Sequence, residues 1–196
     1  MEYSETLMRI NTQRSCSTLA ALALACAFGS SLTQAAENPK LPAGDPCTVV
    51  PLAEVQKAFP GAKSGVRNRR LEEYGSTQCA WSDSRDKVVF AVQESYGSNT
   101  AMQEAQGNAI AFLDPTMLQS KASVRYETLS GIAPEAVAFV EPGDPKRGIL
   151  GDGSLLVLRK GQHTLLLMSP MLPKRDRAAA LKVYEDLGRI AARRLE

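Results

Sequence analysis

The chain has 196 residues, 44% hydrophobic and 22% charged, with 23 Lys and Arg against 21 Asp and Glu and a net charge of +2. So near a balance gives no electrostatic argument for a nucleic-acid partner or a membrane surface. Four cysteines and a single histidine leave little material for a multi-ligand metal site.

Residues 15–28, SCSTLAALALACAF, form a short apolar run behind Arg9 and Arg14, and the small residues Thr33, Ala35 and Ala36 follow it. Positive flank, apolar core and small-residue exit are the parts of a secretory signal. The run falls short of the about 20 apolar residues that a spanning helix needs. Residues 1–36 are therefore expected to be a signal peptide cut after Ala35 or Ala36, with Met8 the expected start, because Glu2 and Glu5 are out of place in a positive region. The alternative is a lipid anchor at Cys26, where LALAC loosely matches an attachment pattern but has Ala23 where leucine is preferred. Cleavage predicts a periplasmic or secreted protein, and lipidation an envelope lipoprotein held at the membrane.

About 160 residues remain, a length that suits one domain. Cys16 and Cys26 lie in the leader, which leaves Cys47 and Cys79. An even pair in an oxidising compartment predicts a disulfide. The other readings of Cys79 ask for more than the chain offers: zinc wants four ligands at short spacing, a redox pair wants CxxC, and a cysteine nucleophile wants a base that only His163 supplies.

Residues 37–46, ENPKLPAGDP, hold three prolines and little apolar content and are expected to be a flexible tether to a domain over residues 47–196. In CTVVPLAEVQKAFPG, Pro51 suits a first helical position, and Leu52, Val55 and Phe59 recur at helical spacing before Pro60-Gly61. Residues 62–76 are polar. Their Lys63, Arg67, Arg69 and Arg70 form a basic patch that is either a partner-binding surface or a loop or edge strand whose arginines pair with Glu72 and Glu73.

CAWSDSRDKVVFAVQESYG predicts two strands joined by a turn over residues 83–87, with Val88, Phe90 and Val92 on one side and Trp81 packed inward beside the disulfide. Thr100 and Gln103 have capping-box spacing, and Met102, Ala105, Ala109 and Phe112 or Leu113 share a helix face that Asp114-Pro115 ends. Three further strands are expected over residues 136–140, 154–159 and 163–169, the last two joined through Lys160-Gly161 or Gly161-Gln162. Residues 141–153, EPGDPKRGILGDG, are expected to be an exposed loop. Residues 174–195 give the longest helix, with Ala180, Tyr184, Leu187 and Ala191 at helical spacing.

No catalytic, cofactor-binding or metal-binding residue is expected. His163 lacks a GxSxG serine elbow. His163 and Met168, a soft-ligand pair for copper, fall on opposite faces of a strand. Glu185 and Asp186 are adjacent on a helix and diverge. Lys174, Arg175 and Arg177 at the start of the last helix, where positive charge is unfavourable, are the second candidate partner-binding patch.

Asp45-Pro46-Cys47 before a short helix, Cys79-Ala-Trp81, Gly131-Ile-Ala-Pro-Glu135-Ala136 and the Arg159-Lys160-Gly161 turn stand in this order. In that order the chain resembles the small exported lipoprotein domains of unknown function common in actinobacteria. The resemblance covers most of residues 45–195 and implies a PsbP-like sandwich with a disulfide between Cys47 and Cys79. Ile132-Ala133 stands where that pattern has Leu-Gly.

The fold expected is α+β, a mainly antiparallel sheet of about five to seven strands with three helices. The expected function is a non-enzymatic, monomeric binding or accessory module of the cell envelope, for a protein or small ligand and without cofactor. A periplasmic hydrolase using His163 is the rival.

Overall fold

The computed structural model describes residues 40–113 and 124–196. The expected leader with its expected cleavage or lipidation site, and the expected helix stop at Asp114-Pro115, lie outside the described residues. The described residues belong to one compact unit, Asn38–Glu196. None of their helices is long and apolar enough to cross a membrane.

Seven strands form one antiparallel sheet: β1 (Val66–Asn68), β2 (Ser76–Ser82), β3 (Val88–Tyr96), β4 (Tyr126–Thr128), β5 (Glu135–Glu141), β6 (Gly153–Lys160) and β7 (His163–Ser169). Their order is β1-β2-β3-β7-β6-β5-β4, so β7 at the centre joins two meanders. Three α-helices accompany them among the described residues: α1 (Leu52–Ala58), α2 (Ala101–Ala109) and α3 (Arg177–Ala192).

Alternation sorts each strand between two cores. One face gathers Cys79, Trp81, Phe90, Val92, Leu156 and Leu167 under α1 and α3. The other carries Val137, Phe139, Leu155 and Val157 under α2. On α2 the buried positions are Ala101, Ala105 and Ala109, four apart and small, so the helix lies close to the sheet. On α3, Gly188 meets β6 where a Cβ would stand 2.6 Å from Leu156 Cδ2. Tyr184 reaches through the same core, and the Ser154 hydroxyl donates to its phenol oxygen at 2.9 Å.

The helix ends follow from local chemistry. For α2 the capping box forms in full: Gln103 N donates to Thr100 Oγ1 at 3.2 Å and Thr100 N donates to Gln103 Oε1 at 2.8 Å. The Asp176 carboxylate caps α3 by accepting from Ala179 N at 2.8 Å. The helix therefore begins three residues after the expected Lys174. Pro51, expected inside α1, instead precedes it in extended conformation with ψ 142°.

Several other expectations are corrected. A β-bulge between Trp81 and Ser82 shifts the register, so Val88 pairs with Ser82 and is exposed while Val89 is buried. Residues 141–153 are not simply an exposed loop: Glu141 ends β5, Ile149 is fully buried, and Ile149 bridges to Leu113 and Asp144. Strand β4 was not expected; it is three residues long and follows undescribed chain. The β6–β7 turn is Gly161-Gln162, with Lys160 opposite His163 and Gly161 at φ +61°.

Candidate functional site

The disulfide joins Cys47, in a 3-10 turn capped by Asp45, to Cys79 in β2. Asp45 Oδ1 accepts from Cys47 N at 3.0 Å, which sets the turn that presents the sulfur. Trp81 lies two residues on, on the same face, with its ring 5.4 Å from Phe90. Gly65 closes this corner, since a Cβ there would overlap Cys79 Sγ and the Trp81 ring. The crosslink thus ties the turn at Cys47 to β2, and Gly65, on the chain leading into β1, packs against it.

The single histidine sits in a different cluster. Glu94 takes the β3 position that alternation assigns to the Phe90 and Val92 face, and it is fully buried. Arg194, in the 3-10 turn after α3, donates from Nε to Glu94 Oε1 at 2.9 Å. His163 brings Nε2 to 3.7 Å from the same oxygen, an electrostatic contact beyond hydrogen-bond length. The Tyr96 ring packs 5.0 Å from the imidazole, and Lys40 Nζ lies 5.2 Å above the Tyr96 ring. Burial pushes the Glu94 carboxyl up, but His163 and Arg194 together outweigh it and hold the group below the usual glutamate range.

This arrangement is a clamp. Arg194 also donates to the Ala43 carbonyl, and Pro42 beside it is buried. Residues 40–46, expected as tether, therefore lie against the sheet and the end of α3. The cross-strand neighbours of His163 are Tyr96 and Lys160, so neither partner strand presents a serine or cysteine directly opposite it.

Two further carboxylates are fixed at the sheet ends. Glu141 is buried and accepts from Arg147 Nη1 at 3.1 Å and from Arg125 N at 3.2 Å. Glu135 accepts from Arg159 and, at 2.9 Å, from Ala101 N at the start of α2. The Ala101 contact leads in holding the Glu135 carboxyl below its usual range, with Arg159 adding to it against the opposing pull of desolvation.

The two basic patches lie at opposite edges of the sheet. Near β1, Lys63 pairs with Asp86 at 3.0 Å and Arg67 with Glu72 at 2.8 Å, while Arg69 and Arg70 are exposed and their guanidiniums have no partner among the described residues. At the β4 edge, Lys174 and Arg175 are exposed ahead of the α3 cap. Arg177 turns inward, donating to the Val140 carbonyl at 2.9 Å and pairing with Glu127 of β4.

Glu94 and Glu141 escaped the sequence reading, although a signal was present. Each continues an alternating apolar series, Phe90-x-Val92-x-Glu94 and Val137-x-Phe139-x-Glu141, so an ionisable group in the buried phase was legible.

Two shallow depressions mark the surface. One of about 210 Å³ is lined by Ile132, Pro134, Lys160 and Leu195, the other of about 260 Å³ by Thr48, Pro51, Ile190 and Arg193. Both are smaller than the about 300 Å³ at which small-molecule pockets begin, and neither is lined by His163. Among the described residues no group of three or more His, Cys, Asp or Glu is placed to hold a metal ion. Comparison with known proteins gives no family: no family model matches the chain, and no curated protein or solved structure matches it.

Proposed function

We propose that the protein is an exported, non-enzymatic binding or accessory module of the cell envelope, working as a monomer on a PsbP-like sandwich. Export is supported by the leader pattern and by the Cys47–Cys79 disulfide, which suits an oxidising compartment. The sandwich reading is supported by a single antiparallel sheet with helices on both faces.

The observation that carries the non-enzymatic reading is the state of His163. A general base needs access to substrate and to a proton it can take. The His163 side chain is only 18% exposed, and the carboxylate beside it is bound to Arg194 in a contact that also anchors residues 40–46. Here the charged groups join elements of the fold.

The test pairs a substrate screen with one variant. The exported protein is assayed against ester, peptide and glycosyl model substrates, and wild type is expected to be inactive, as is His163→Ala. A turnover that wild type shows and His163→Ala loses would replace this proposal with the hydrolase.

A further inference from the structure

We propose that the β1 edge of the sheet is a docking edge for an extended, acidic segment of a partner protein, which adds beside β1 as an eighth strand. The inference rests on the binding-module reading above and names the site and the chemistry of its partner.

Four features meet at this edge. The first is backbone. From Lys63, whose N–H donates to the Ser82 carbonyl at 2.8 Å, to Asn68, opposite Gln78, the chain follows β2, and no strand among the described residues pairs with its outer side. Six residues at about 3.3 Å each give roughly 20 Å of edge, a length an extended hexapeptide matches.

The second is apolar. Tyr74 and Val66 are the two most exposed large hydrophobic side chains among the described residues, at 74% and 69%. Both belong to this edge: Val66 lies in β1, and Tyr74 ends the 3-10 turn that connects β1 to β2. An added strand places every second side chain on the sheet face that Val66 occupies.

The third is charge. Lys63 pairs with Asp86 and Arg67 with Glu72, but the guanidiniums of Arg69 and Arg70 on the 3-10 turn have no partner among the described residues, so the four cations outnumber the carboxylates of Glu72, Glu73 and Asp86 beside them. The excess is positive and stands at one end of the edge, so an acidic segment is both attracted and placed in register. Lys174 and Arg175 at the far edge are also exposed, but the large apolar side chains exposed above two-thirds are Val66 and Tyr74.

The fourth is rigidity. Gly65 rests on the disulfide and the Trp81 ring, and Asn68 Nδ2 donates to Gln78 Oε1 at 2.9 Å. An edge already fixed in its paired geometry loses little conformational freedom when a partner strand arrives.

The probe is a fluorescein-labelled octapeptide that alternates valine with aspartate or glutamate, titrated into the disulfide-intact exported protein. Saturable binding is expected, weakening about tenfold as salt rises from 50 to 500 mM because the charges are exposed. A lysine-for-acid analogue should bind at least tenfold less well. An analogue N-methylated at every second amide keeps its charge and should also lose tenfold or more, since it lacks main-chain donors. Arg69→Glu/Arg70→Glu should lose binding while keeping the wild-type urea midpoint, and amide shifts on binding should fall on residues 63–70 and Tyr74.

Failure to bind, equal binding of the N-methylated analogue, or shifts that map elsewhere overturn the proposal, the second because it means simple polyanion attraction. The two proposals fail separately. Binding by wild type that Arg69→Glu/Arg70→Glu retains refutes this edge and leaves the module intact, whereas a turnover lost in His163→Ala refutes the module.

Discussion

Strands β5 and β6 carry helices on both faces, α2 over Phe139 and Val157 and α3 over Ala138 and Leu156, whereas β1, β2 and β3 are served differently. Their first face holds the disulfide, Trp81 and Phe90, and their second leaves Gln78, Ala80 and Gln93 partly exposed and Val66 open. The first half is stabilised by apolar area from two sides, and burial of that kind needs no crosslink. The second has less area to bury and a covalent staple in its place. That economy leaves an edge and a face free in the very half that the staple stiffens.

The contrast can be broken by mutation. Trp81→Ala removes the largest fully buried side chain and should cost about 3–5 kcal/mol, read as a shift in the urea midpoint. Leu156→Ala, in the doubly covered half, belongs to the same class at about 2–5 kcal/mol. The distinction lies in coupling to Cys47→Ala/Cys79→Ala. Trp81 and the disulfide pack against the same Gly65, so their combined effect should depart from the sum by about 0.5–3 kcal/mol, while Leu156→Ala should add within about 0.5 kcal/mol. Additivity in both cycles would mean that the two halves are not held in separate ways.

Opening the crosslink alone comes next in size. The cysteines are 32 residues apart, and closing such a loop stabilises by roughly 3–4 kcal/mol on the chain-entropy account. The loss should be uneven. Amide protection along residues 63–82 should fall before that of β6 and β7, because the staple holds the former and helices cover the latter. Uniform loss would make the disulfide a general stabiliser with no special hold on the β1 edge.

Much of this contrast was legible beforehand. The pairing of Cys47 with Cys79 needed only the expectation of an oxidising compartment and the count, and the place of Trp81 needed only alternation. The Thr100 and Gln103 cap was readable because a capping box is local chemistry within four residues. What was missed depends on distant chain. Strand β4 is three residues long and exists through its pairing with β5, and Val88 turns outward because a bulge in β2 shifts its partner. In the same way Ile149 is buried by contacts with Leu113 that no local pattern announces. Of the site, the basic residues were identified by charge, but the pairing of Lys63, Arg67 and Arg177, and the lack of a partner for Arg69 and Arg70 among the described residues, is a matter of three-dimensional neighbours.

The smallest expected effect concerns the seam between the halves, where β3 meets β7. Glu94 is fully buried between Arg194 and His163, and removing its charge leaves Arg194 without its carboxylate, so Glu94→Gln should cost about 1–3 kcal/mol at pH 7. The carboxyl lies below the usual glutamate range in the fold, and the unfolded chain therefore binds its proton first. Its stabilisation is complete above the unfolded value near pH 4.5 and disappears as pH falls through the lower folded value. Wild type and Glu94→Gln should accordingly differ in urea midpoint at pH 7 and converge only as pH falls through the lowered folded value. A gap that stays constant with pH would show that Glu94 acts through its shape and hydrogen bonds, and that the seam is not held by charge.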